Sequence, residues 1–190
     1  MDRMQTIKVS GMTPGHPALA FLNTVTDDGK TRKHDSFADG AEFIAILEDA
    51  GFVPRGLPPP GPGQMTAIKG LREAGHAVLS AMAAGRRPGR EEALTLEAAI
   101  KSAVQDASFA LGAKGVHLMP GPLGGLYDHL ALALFDLMQR TDLDRLPECG
   151  RCTHLFLDHG RGPGRRWCSM ARCGNRAKVE SFRARHRAAP

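Results

Sequence analysis

All four cysteines of this 190-residue chain fall within one 25-residue window near its end. They read Cys149-Gly-Arg-Cys152, then fifteen residues, then Cys168-Ser-Met-Ala-Arg-Cys173. This is the spacing C-x2-C-x15-C-x4-C, in which two short turns present four thiolates to one tetrahedral ion. Three other uses of the thiols compete with that reading: two disulfides, a redox-active Cys-x-x-Cys pair, and free buried thiols. Disulfide scaffolds are secreted and cysteine-dense throughout, whereas the first 148 residues contain no cysteine. A redox Cys-x-x-Cys belongs beside a βαβ pattern, and the chain has none. The pattern therefore predicts Zn²⁺ held by Cys149, Cys152, Cys168 and Cys173.

Upstream, the hydrophobic spacing is helical. Ala18 to Leu22 reads as one or two buried turns. A helix capped by Ser36 or Asp35 runs to about Ala50, with Phe43, Ile44 and Leu47 inward and Gly51 in the place of a C-terminal glycine. Residues 54–63 hold five prolines and three glycines and read as a linker. Long helices follow over about 64–84 and 90–104, the first weakened by Gly70 and Gly75. Residues 108–119 read as a hairpin turning near Gly112 to Gly115, and a further apolar helix spans about 123–139. The fold expected is α+β, mostly α. A helical domain with a small hairpin occupies 1–145, and a treble-clef-like zinc finger occupies 146–190.

Within the finger, Gly150 reads as freeing backbone amides to face sulfur. Thr153 to Leu157 and Arg165 to Trp167 read as two strands, and residues 175–187 as a helix opening at Cys173. Val179, Phe182 and His186 share one stripe of that helix, which is expected to face inward. Charge is concentrated here. The chain has a formal net charge of +5, yet residues 1–140 carry 14 Lys+Arg against 15 Asp+Glu. From Cys149 onward ten basic residues, nine of them arginine, face two acidic ones. Some of these arginines neutralise a Zn(Cys)₄ centre of charge −2. Arg161, Arg165, Arg166, Lys178, Arg183 and Arg185 lie further from the ligands in sequence, and arginine suits bidentate phosphate and guanine contacts. Duplex DNA is the expected partner; structured RNA or an acidic protein are the alternatives.

The residues Cys149-Gly-Arg-Cys152, Phe156-Leu-Asp158, Arg165-Arg-Trp-Cys-Ser-Met170 and Cys173-Gly-Asn-Arg-Ala-Lys178 resemble the CGNR zinc-finger family, named for a tetrapeptide intact here as Cys173 to Arg176. Members of that family carry the finger behind a mostly helical ABATE domain, described as a stress-induced transcription regulator. Leu19-Ala-Phe-Leu-Asn-Thr24 is similar to the opening of that domain, with Ala20 where aspartate is common. The resemblance implies zinc and DNA binding. Arg172, Asn175 and Arg176 are also nucleic-acid candidates, with neutralisation of the metal centre as the plainer reading of Arg172 and Arg176.

His16, Asn23, Thr24 and Asp27 are candidates to line an effector pocket, with capping or buried hydrogen bonding as the plainer reading. His154 and His159 are spare ligands at most, since four cysteines fill a tetrahedron, and Trp167 is expected to pack the finger. No G-x-S-x-G, H-E-x-x-H or phosphate-binding G-x-x-x-x-G-K-[ST] occurs. The expectation is a non-enzymatic regulator, cytoplasmic and bacterial, with a possible homodimer and no membrane segment or leader.

Overall fold

A computed structural model describes residues 15–25, 30–53, 55–112, 115–121, 124–160 and 164–187. Its elements run α1 (Pro17–Leu22), α2 (Gly40–Asp49), α3 (Pro62–Ala83), α4 (Arg90–Gln105), β1 (Ser108–Gly112), β2 (Gly115–Met119), α5 (Leu126–Met138), a 3₁₀ turn (Leu143–Arg145), a π turn (Met170–Gly174) and α6 (Asn175–Arg187). The mostly helical class holds, with one antiparallel hairpin pairing Phe109 with Leu118 and Leu111 with Val116. Asp27 and Arg161 lie outside the described residues. Among the described residues no helix is long and apolar enough to cross a membrane.

The six-residue α1 is far too short to be stable alone. Proline opens it, His16 Nδ1 accepts from the Ala18 amide, and Ala18 to Leu22 are all buried. Packing against α3 and α5 holds it in place. Gly75 of α3 lies where these helices meet. A Cβ there would stand 3.2 Å from both Leu22 Cδ2 and Leu134 Cδ1, tighter than ordinary contact, so glycine permits the close approach. Gly70 has open space around its Cα, and nothing in the structure explains it.

Helix α2 is capped by Asp39, whose Oδ1 accepts from Ala41 and Glu42, and not by Ser36 or Asp35. Gly51, at φ +64°, closes it in the left-handed conformation expected. Asp35 is engaged elsewhere. It pairs with Lys69 at 2.5 Å and with Arg72 at 2.7 Å, and these cations together hold its carboxyl below the usual range despite the opposing effect of burial. Arg72, only 4% exposed, also donates to the Thr24 carbonyl at 2.9 Å and pairs with Glu73 at 2.8 Å. Arg32 joins this network through Glu73 and the Leu22 carbonyl. The polar segment before α2 is thereby bound to α3.

The helical core is assembled from Leu19, Phe21, Leu22, Phe43, Leu47, Ile68, Leu71, Leu79, Leu130, Leu134 and Leu137, and it continues into Leu155 and Leu157. On α4, Leu96, Ala99 and Ala103 are buried, whereas Leu94 is exposed.

His76 of α3 is buried and bonded to the Thr153 carbonyl at 2.7 Å, so its neutral Nε2–H donates. Burial, reinforced by the Arg32 cation, lowers its pKa to about 4. Below the ordinary value near 6.5 the unfolded chain takes up a proton that the folded chain refuses. Stability therefore falls between pH 6.5 and 4, by ~3 kcal/mol from this group. His76→Gln keeps a side-chain N–H donor and removes the titration. Comparison of urea midpoints across that window should show a shallower acid decline in the variant; parallel curves would refute the assignment.

Candidate metal centre and basic face

The segment from Thr153 to Leu157 is a shared wall between two apolar clusters. Leu155 and Leu157 enter the helical core, while Phe156 between them packs among the four cysteines. Successive side chains of an extended chain point to opposite sides, and this segment uses both. It does not pair as a strand with Arg165 to Trp167, however. Leu155 forms a single bridge with Glu148, and Arg166 offers its carbonyl to the Gly150 amide at 2.9 Å. The two expected strands are thus replaced by two flanks of the first knuckle, and the Gly150 amide serves a backbone carbonyl, not sulfur.

Trp167 fastens the knuckles together. A Cβ on Gly150 would lie 3.1 Å from its ring, and one on Gly174 would lie 3.2 Å from Trp167 Cδ1 and 2.4 Å from Met170 Sδ. The glycine of Cys173-Gly-Asn-Arg thus lets Met170 and Trp167 pack closely over the turn. Ser169 caps the π turn by accepting from the Arg172 amide at 3.3 Å, and Asn175 Nδ2 donates to the Ala171 carbonyl at 3.2 Å.

All four sulfurs are buried and lie within 4.8 Å of one another. Cys152–Cys168 is 3.7 Å, Cys168–Cys173 3.6 Å and Cys152–Cys173 3.6 Å. A regular tetrahedron with metal–sulfur bonds of about 2.3 Å has an edge of about 3.8 Å, so the sulfurs already outline the coordination shell of one ion. Disulfides are ruled out at such separations, since an S–S bond needs about 2.05 Å. The thiol chemistry agrees. Cys149 is drawn well below the thiol range by hydrogen bonds from its sulfur neighbours; Cys152 is pushed up to about 12 by Cys149, and Cys168 is pushed up by Cys149 and Cys152. One thiolate suppresses the next, and a cation among them would relieve that repulsion. The four cysteines form a metal site.

His154 is not a spare ligand. It is buried and bonds the Val25 carbonyl at 3.1 Å through Nε2. His159 is exposed, 3.9 Å from Asp142. The candidate pocket residues are likewise occupied. His16 Nε2 meets Asp136 at 2.9 Å, Asn23 pairs both ways with the Leu155 backbone, and Thr24 donates to the Phe21 carbonyl. Their polar atoms serve capping and buried hydrogen bonds, and Asn23 joins the helical domain to the finger. Lys30 and Ser80 on Glu148 and Arg32 on Thr153 add to that seam. Sequence reasoning missed it, since its partners lie over a hundred residues apart or on different helices.

The basic residues divide. Arg165 is exposed but engaged: its guanidinium lies 4.7 Å from the Phe156 ring and donates to the Cys168 carbonyl at 2.6 Å, and its amide donates to Asp158. Arg166 stacks on Trp167 at 4.8 Å, and Arg151 pairs with Glu180 at 3.0 Å. Arg172 is half-buried and Arg176 is exposed, each with an interaction of its own. Lys178, Arg183, Arg185 and Arg187 are exposed along α6 and carry no hydrogen bond or ion pair among the described residues. No residue of α6 is buried. The stripe of Val179, Phe182 and His186 consequently faces solvent and not the finger, with Val179 47% and Phe182 55% exposed.

No curated protein sequence matches the chain. Two family models do, in tandem. One, described as "Putative stress-induced transcription regulator" and named ABATE, matches residues 15–140; the other, the CGNR zinc finger, matches residues 145–186. With the first model covering about two thirds of its length, this chain belongs to the ABATE family and carries a CGNR zinc finger after that domain.

Proposed function

We propose that the chain is a DNA-binding transcriptional regulator in which Zn²⁺ fixes the finger and the exposed face of α6 meets duplex DNA. The observation that carries this reading is the set of four cations on α6 without partners among the described residues, mounted beside the four-sulfur centre. Cations left unpaired on one helix suit a polyanion, and phosphate contact supplies affinity before any sequence choice. Zinc is the ion whose thiolate geometry fits the sulfur spacing. When bound it supplies cross-linking and no open coordination position, which favours a non-enzymatic role. Lys178, Arg183, Arg185 and Arg187 are the principal contacts. Arg166 and Arg176 extend the face, while Arg165 supports it from behind.

Four phosphate contacts give a slope of log affinity against log salt near −4, or roughly a hundredfold loss between 50 and 200 mM. Replacing Lys178, Arg183 and Arg185 together with alanine should reduce the slope by about 0.9 per lost contact. Unchanged affinity and slope would remove these residues from the interface. Preference for structured RNA over duplex DNA in direct competition would transfer the reading to RNA.

A sensory role for the helical domain is favoured by one observation. An open groove of about 780 Å³ lies between the β1–β2 hairpin and α5, with Phe52, Leu118, Leu132 and Phe135 among its apolar walls and His129 and Asp136 among its polar ones. Its size is within the range of small-molecule sites.

A further inference from the structure

The inner and outer sides of α6 can be assigned from its contacts. Ala177 is half-buried and Glu180 pairs with Arg151 of the first knuckle, so these positions mark the side that faces the finger. At about 100° per residue, Asn175, Val179, Phe182 and His186 cluster on the opposite side, pointing directly away from the finger. The Phe182 and His186 rings touch at a tilt of 57°, with centroids 4.1 Å apart, which steadies the aromatic ring in place. Arg183 and Arg187 lie roughly 80° to one side of this stripe, and Lys178 and Arg185 roughly 80° to the other.

Two rows of cations flanking a narrow apolar strip match the cross-section of the DNA major groove. The groove is about 12 Å wide, with a phosphate backbone on each rim and thymine methyl groups on its floor. A helix with its side chains is about 10–12 Å across. A membrane surface fits less well, since only Val179 and Phe182 of the stripe are apolar and so little area gives weak insertion. We infer that α6 enters the major groove with Val179 and Phe182 against thymine methyl groups, Arg183 and Arg187 on one phosphate backbone, and Lys178 and Arg185 on the other. The inference rests on the duplex-binding reading above and adds a base preference to it. Phosphate contacts carry no sequence information, so the apolar stripe becomes the part of α6 that distinguishes thymine from cytosine.

The test uses the full-length, metal-loaded protein and two alternating duplexes, poly(dA-dT) and poly(dA-dU), which carry equal charge and differ only by the thymine methyl. Binding should favour the thymine polymer by about fourfold for each methyl contacted. Val179→Ala/Phe182→Ala should equalise the two affinities, while the thermal midpoint stays unchanged because both side chains are about half exposed. Equal wild-type affinities, or a thymine preference that survives the double substitution, would overturn the inference and leave the duplex-binding reading standing. Failure to bind either polymer, with binding to phosphatidylglycerol vesicles instead, would overturn both.

Discussion

Substituting Cys152 with serine is expected to unfold far more than the finger. Structural zinc contributes about 10–16 kcal/mol of apparent folding free energy in small finger peptides, whereas a whole domain is commonly stable by only about 5–15 kcal/mol. In a loosely tethered module such a loss would remain local. Here Phe156 packs with the sulfurs while its neighbours Leu155 and Leu157 belong to the helical core, so the two clusters share one backbone segment. His76 on Thr153 and Glu148 under Ser80 tie α3 to the same knuckle. Calorimetry of Cys152→Ser, or of the native protein with a strong chelator, should therefore show the main cooperative transition lowered by tens of degrees or lost. A midpoint within a few degrees of the native one would mean that the helical domain folds without the metal centre.

The second large effect is expected at Asn23. Its amide both donates to the Leu155 carbonyl at 2.8 Å and accepts from the Leu155 amide at 3.0 Å, copying the two-way exchange of a strand pair in a buried setting. Asn23→Ala leaves a buried N–H and a buried carbonyl without partners, each costing about 1–3 kcal/mol, so a loss of ~2–5 kcal/mol follows. Asn23→Asp separates hydrogen bonding from volume. It can still accept from Leu155, but it sets a carboxylate against the Leu155 carbonyl, and it should be at least as damaging near neutral pH. Chemical denaturation would measure both; a loss below about 0.5 kcal/mol in the alanine variant would show that the seam does not carry this coupling.

These residues also show where sequence reading succeeds and where it stops. The cysteine cluster is legible because ligand spacing is local, and α6 was placed at its observed limits because a basic helical run follows directly on Cys173. The hairpin is legible from its glycines and alternation. Asn23 and Leu155 are 132 positions apart, and nothing local to either announces the pair. Arg32 and Arg72 carry no local signal either, although their guanidinium groups organise the segment before α2. The stripe on α6 shows a further limit. Periodicity identifies residues that share a face, but whether that face meets protein or solvent depends on where the helix is anchored. Glu180 and Ala177 decide that, and they turn Val179 and Phe182 outward. The two expected finger strands do not pair for a related reason: the His154 and Arg166 carbonyls accept from the Cys149 and Gly150 amides of the knuckle, and the Leu155 backbone is taken by the Asn23 side chain.

X-ray absorption at the zinc edge of the purified full-length protein tests the central claim most directly. One zinc per chain with four sulfur neighbours at about 2.3 Å, and no nitrogen or oxygen in the shell, is the result expected from the sulfur tetrahedron. A shell containing imidazole nitrogen or water, or a protein that binds no stoichiometric metal, would contradict it and leave α6 without its anchored base.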